Sequence, residues 1–176
     1  MKPARAQHDV LYSHTQSGGW LYVALGFAAA GLLAAIAIVN GGHRPVNGPP
    51  VTFILGVALA ILLITAACFS TLTVEVCAAT LRWRFGPGLV RFSLPLGEIT
   101  SVVAARTPLW AGIGIHWVVT GWVYNVSGRD AVQITKRDGS RVWIGTDEPA
   151  VLAREIEDAR AGTAVLRDTS APVARQ

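Results

Sequence analysis

"AVQITKRDGSRVWIGTDEPAVL" (residues 131–152) changes its periodicity partway along, and the point of change decides the fold. From Ala131 to Arg137 apolar and polar residues alternate, the pattern of a half-buried strand, and Ser140–Gly145 resumes it. A two-residue turn at Asp138–Gly139 would set Ile134 opposite Trp143. A three-residue loop, Arg137–Asp138–Gly139, instead sets Ile134 opposite Val142 and Val132 opposite Ile144. The second register gathers four aliphatic side chains on one face and gives Gly139 a left-handed loop position to fill. It is the one the sequence favours.

After "IGTDEP" the period becomes helical. Leu152, Ile156 and Ala159 share one stripe, Arg154, Glu155, Glu157, Asp158 and Arg160 face away, and Gly162 stands where a helix C-cap belongs. The joint between strand and helix holds Thr146, Asp147, Glu148 and Pro149. Thr146 or Asp147 can accept from free amides of the first turn, acidic residues suit a helix N-terminus, and proline is tolerated there. Catalytic use would need a nucleophile, a base and an orienting group together, and neither histidine nor lysine accompanies the motif. Thr146, Asp147 and Pro149 are therefore read as a structural helix cap.

Upstream, "TLRWRF" (80–85) puts Leu81, Trp83 and Phe85 on one face and Arg82 and Arg84 on the other. "GPG" (86–88) reads as a turn and "LVRFS" (89–93) as the returning strand; further strands are expected near Ile99–Ala104 and at "WVYNV" (122–126). About seven short strands and one terminal helix predict an antiparallel sandwich or barrel over residues 75–162.

Two charge-free apolar blocks precede this region, "WLYVALGFAAAGLLAAIAIV" (20–39) and "VTFILGVALAILLITAACFSTLTV" (51–74). A helix rises 1.5 Å per residue, so about 20 apolar residues can cross a hydrocarbon layer roughly 30 Å thick. Their lengths predict a two-helix transmembrane hairpin over 20–74, with "NGGHRPVNGPP" (40–50) as its turn. Lys2 and Arg5 before the first block, and Arg82, Arg84 and Arg91 after the second, outnumber the single Arg44 between them. That bias places both termini and the β domain in the cytoplasm, anchored in the cytoplasmic membrane. Residues 1–19 are expected as an N-terminal tail and 163–176 as a disordered C-terminal tail. The blocks contain no Asp, Glu, Lys, Arg or His, which argues against a transporter or channel acting alone.

The segment "GWVYNVSGRDAVQITKRDGSRVWIGTDEPAVLAREI" (121–156) resembles the end of bacterial pleckstrin-homology-like (PH-like) domains found in small membrane proteins, in which aromatic residues precede "NVSG" and "IGTD-x-P" precedes the last helix. The resemblance covers 51–162 and is strongest in 121–152. It implies a bent sheet closed by a C-terminal helix, and membrane anchoring; it implies no reaction. The fold class expected is thus a membrane α-hairpin followed by a mainly-β PH-like domain.

The net charge of +4 is spread along the chain: residues 75–162 hold ten Lys/Arg against nine Asp/Glu. No dense basic stripe suits nucleic acid. Cys68 and Cys77 fit neither a disulfide framework nor a zinc site, and His8, His14, His43 and His116 are scattered, so neither metal nor cofactor is implied. "NVS" (125–127) matches a glycosylation sequon, but Asn125 reads better as the support of a turn before Gly128. Arg82, Arg84 and Arg91 could meet anionic lipid headgroups or simply form a solvated strand face. "LWAGIGIHWVV" (109–119) carries Trp110 and Trp117 and reads as a partner-facing or interface loop, with His116 as a hydrogen-bonded structural histidine. Small residues around Gly26 and Gly31 suit self-association or a membrane-protein partner. The expected function is a non-catalytic, membrane-anchored interaction or scaffolding module facing a protein partner. An anionic-lipid-binding module and a membrane-bound enzyme using Asp147 and Glu148 are the alternatives.

Overall fold

The computed structural model describes residues 10–41, 50–107, 114–119 and 121–169, with side chains at all of these except 20, 21, 39, 40, 50, 52 and 164–169. Nine strands form two sheets among them. The first sheet is the antiparallel meander β1 (Val10–Ser17), β2 (Thr71–Cys77), β3 (Thr80–Phe85) and β4 (Val90–Pro95). The second contains β5 (Ile99–Arg106), β6 (Gly114–Val118), β7 (Gly121–Asn125), β8 (Asp130–Lys136) and β9 (Arg141–Gly145), in the spatial order β5-β8-β9-β7-β6, with β7 and β9 parallel. Helix α3 (Pro149–Thr169) packs against β5 and β8.

The expected hairpin register holds. Ile134 pairs with Val142 and Val132 with Ile144, Gly139 sits at φ +79°, and Trp143 lies on the opposite face beside Gln133. The four aliphatic residues are almost wholly buried. They share one core with Leu72, Val74 and Val76 of β2, with Leu81, Trp83 and Phe85 of β3, and with Leu152, Ile156 and Ala159 of α3. Each such side chain contributes roughly 1.5–3 kcal/mol on burial. An aromatic cluster fills the middle, with Tyr124 4.6 Å from Phe92 and 5.2 Å from Trp83 between ring centroids.

Several expectations are corrected. The segment 1–19, read as a tail, contains β1, paired with β2 from Val10↔Cys77 to Ser17↔Thr71. Its inward residues are Tyr12, His14 and Gln16, so its alternation carries no aliphatic signal. The apolar block 51–74 is not one helix: α2 (Pro50–Phe69) stops before Ser70, and the β-branched run from Thr71 enters β2. Gly162 does not end α3, which continues to Thr169 through the segment expected as a disordered tail. Gly162 has no left-handed backbone angle, and the Thr163 hydroxyl bonds back to the Ala159 carbonyl (2.8 Å) within the continuing helix.

The transmembrane reading is also corrected. Helices α1 (Gly19–Gly41) and α2 form a hairpin between β1 and β2, but among the described residues no helix is long and apolar enough to cross a membrane. An integral two-span protein, its anchoring in the cytoplasmic membrane and the cytoplasmic placement argued from that anchoring are therefore not supported. The hairpin replaces the tight turn that would otherwise join β1 to β2. Its base is closed where the Gly18 amide donates to the Ser70 carbonyl at 2.7 Å. The Gly86 amide, in the turn after β3, donates to the Thr71 carbonyl at 2.9 Å.

Two glycines test this packing differently. Gly139 has open space around a built Cβ, so Gly139→Ala should cost about 1 kcal/mol through its left-handed backbone alone. Gly121 (φ +133°) lies where β7 runs against β9, and a Cβ there would enter the Arg141 carbonyl. Gly121→Ala should cost on the order of 3 kcal/mol. Denaturant unfolding of the two variants checks the ranking.

Candidate functional site

Three surfaces carry the residues singled out in the sequence. The first is the joint between β9 and α3. Thr146 is buried at 1% exposure, and its hydroxyl accepts from the Glu148 amide at 3.1 Å. The Glu148 carbonyl takes the first helical bond, from Leu152, and Pro149 opens the helix as expected. The Asp147 carboxylate does not cap. It lies 2.5 Å from His14 Nε2, while Glu148 Oε2 lies 3.5 Å from His14 Nδ1 and accepts from the Tyr12 hydroxyl at 3.3 Å.

So a histidine does accompany the joint, delivered by β1. Spacing could not show it, because 133 residues separate His14 from Asp147. The one local signal was the alternation of Tyr12, His14 and Gln16, which puts all three on one strand face. A carboxylate bound to a histidine is half of a nucleophile-activating arrangement, but no hydroxyl or thiol bonds His14 among the described residues. Ser13 and Thr15 point to the other face of β1, where Thr15 meets the Thr73 hydroxyl at 2.9 Å.

Burial, and then the neighbouring Glu148 carboxylate as charge and hydrogen-bond acceptor, push the Tyr12 phenol up to about 12. Burial alone raises that of Tyr124. At the β8–β9 loop, the Ser140 hydroxyl and then the Ser140 amide bond to Asp138, holding its carboxyl below the usual range.

The second surface is the outer face of the β1–β4 sheet. The register brings Arg82, Arg84 and Arg91 together there, as strand alternation required. Arg84 pairs with Glu75 at 3.4 Å, and the Arg91 side chain donates to the Gly88 carbonyl. A groove of about 550 Å³ runs over this face.

The third is the β6–β7 hairpin, at one edge of the second sheet. Trp117 is 60% exposed and meets Trp122 edge-on at 5.6 Å. The segment expected as a partner-facing or interface loop includes an ordered strand at Trp117, and Trp122, which had no such role in the sequence reading, packs against it. Trp110 lies outside the described residues. His116 Nε2 is buried with no partner among the described residues, against the expected hydrogen-bonded histidine. Asn125 does support its turn: its side chain donates to the Gly128 carbonyl at 2.9 Å and accepts from the Ser127 amide at 3.1 Å. Its complete burial removes it as a glycan acceptor in the folded domain. Cys68 and Cys77 are free thiols.

Comparison of the sequence with known protein families and with curated proteins finds no match.

Two predictions follow from the joint. Thr146→Val should cost about 1 kcal/mol or more through a lost buried acceptor, whereas Asp147→Ala should cost less because its ion pair is exposed; denaturant melts rank them. Because the phenol of Tyr12 is raised in the folded state, its contribution is complete below about pH 10 and is lost as pH climbs toward 12. Beside the raised Tyr124, ultraviolet titration should show a late-ionising tyrosine that Tyr12→Phe removes, together with its share of the alkaline loss of stability.

Proposed function

We propose that the chain is a non-catalytic interaction module built on a PH-like domain, and that its partner is a protein docking along the β6 edge. The order of elements supports the PH-like reading. Strands β1–β4 form one antiparallel meander, β5, β8 and β9 form another, and a helix closes the domain. The α1–α2 and β6–β7 hairpins are then insertions into that plan.

The observation that carries the docking surface is the exposed indole pair on an edge strand. A sheet edge presents unpaired backbone groups on which an extended segment can add as a further strand. Among the described residues β6 pairs only with β7, and beside its edge Trp117 and Val119 are largely exposed and Trp122 is 43% exposed. Tryptophan is the side chain most often found as a binding anchor. The helical hairpin adds further exposed apolar side chains, among them Phe27, Ile38, Phe53 and Ile64, on a scale that marks interaction surfaces. The joint, with a His–carboxylate contact to which no hydroxyl or thiol is bonded at His14 among the described residues, favours binding over catalysis.

A photo-crosslinker placed at Val119 in the full chain should capture a discrete protein partner in cells, and the same group at Arg154 on α3 should not. Trp117→Lys should abolish that adduct while leaving the melting temperature within about 2 °C, since the side chain is mostly outside the core. Equal capture from both positions, or capture indifferent to Trp117→Lys, would refute the surface. A fully folded Asp147→Asn variant that lost a chemical activity of the wild type would refute the non-catalytic reading.

A further inference from the structure

Where β6 turns into β7, the chain meets the loop between β8 and β9 around a cavity of about 380 Å³, lined by Trp117, Val119, Gly121, Gly139, Ser140 and Arg141. Gly121 lies between Val118 of β6 and Arg141 of β9. It raises no side chain between the arginine and the sheet edge, and its close approach to the Arg141 carbonyl excludes one. Arg141 is exposed, and its side chain makes no hydrogen bond or ion pair among the described residues. Its charged neighbours are engaged elsewhere. Asp138 accepts from the Ser140 amide at 2.9 Å and the Ser140 hydroxyl at 2.6 Å, and pairs with Lys136 at 3.4 Å. Arg137 lines a separate cavity against α3. Among the described residues, one guanidinium thus faces this cavity with no carboxylate bonded to it.

We infer that the partner segment docked along β6 carries an Asp or Glu at its Val119 end, and that Arg141 holds this carboxylate in the cavity. The inference rests on the β6-edge reading and names the chemistry that selects the partner. One planar fork is satisfied bidentately by one carboxylate, whereas a phosphate dianion offers more acceptor oxygens than a single fork takes up. The indole of Trp117 and the exposed Val119 give the cavity apolar walls, and water excluded by them strengthens an ion pair formed between them. A second copy of β6 does not supply the group, because Gly114–Val119 contains no acidic residue. The occupant is therefore a different segment. Complementary charge at an interface fixes register and rejects wrong partners more than it adds affinity. Arg141 is thus a specificity residue beside the anchors Trp117 and Trp122.

Selection of a phage-displayed library of random linear peptides on the purified full chain tests the inference. Enriched peptides should alternate apolar residues and carry Asp or Glu at one fixed place in that alternation. Changing that residue to its amide in a synthetic peptide should weaken binding roughly tenfold, as the loss of one charge-assisted contact does. Arg141→Gln should weaken the acidic peptide equally and leave the amide peptide unchanged. Selection on Arg141→Glu should put Lys or Arg at the same place, and Arg154→Gln should alter nothing. The comparison of acid with amide on the wild-type chain keeps the test decisive even if an Arg141 variant fails to fold. No enrichment, or peptides that bind Trp117→Lys as tightly as the wild type, would overturn the edge reading and the inference with it. Trp117-dependent peptides with no fixed acidic position, or with one indifferent to Arg141→Gln, would leave the edge standing and overturn the role of Arg141.

Discussion

The structure hinges on how β1 is held. It is the edge strand of its sheet, separated from its partner β2 by the whole helical hairpin, and it offers the interior no large aliphatic residue. Three polar side chains fasten it instead. Tyr12 reaches Glu148, His14 reaches Asp147, and Gln16 donates to the Ser127 carbonyl at 3.1 Å. All three acceptors lie at ends of the second sheet, so this seam joins the two sheets along one side. Each contact contributes about 1 kcal/mol or less, against roughly 1.5–3 kcal/mol for each aliphatic side chain buried in the core. Burial therefore holds the domain folded, and the seam decides where β1 lies.

That division bears on function. Asp147 and Glu148 look like idle capping residues in sequence, yet both are engaged across the seam. Because α1 begins directly after β1, the seam also anchors one leg of the helical hairpin, while the aromatic contact of Phe69 with Phe85 at 5.7 Å anchors the other. The surface proposed for binding lies away from the seam, at the far edge of the second sheet. Its residues can change without unfastening β1.

What the sequence made legible were features set by short-range periodicity. The register of Ile134 with Val142, the left-handed Gly139, the core stripe of α3 and the shared face of Arg82 and Arg84 each depend on neighbours within about a dozen residues. What escaped it required contacts between distant segments or a signal that polar side chains conceal. β1 was invisible because Tyr12, His14 and Gln16 alternate as a strand does without being hydrophobic. The apolar block 51–74 joined a helix to a strand because both are apolar, and only the β-branched run from Thr71 marks the change. Gly162 misled because a glycine permits a helix end without requiring one. The two-span reading came from the length of the apolar blocks, and among the described residues no helix is long and apolar enough to cross a membrane.

Amide hydrogen exchange across Val10–Ser17 tests the role of β1 most directly. If the seam holds it in the sheet, alternate amides bonded to β2 should exchange far more slowly than an unstructured peptide. Replacing Tyr12 and His14 together by alanine should raise their exchange rates selectively, leaving β8 and β9 protected. Exchange at free-peptide rates in the wild-type chain would contradict the account, because β1 would then be a tail and the joint would lack its histidine.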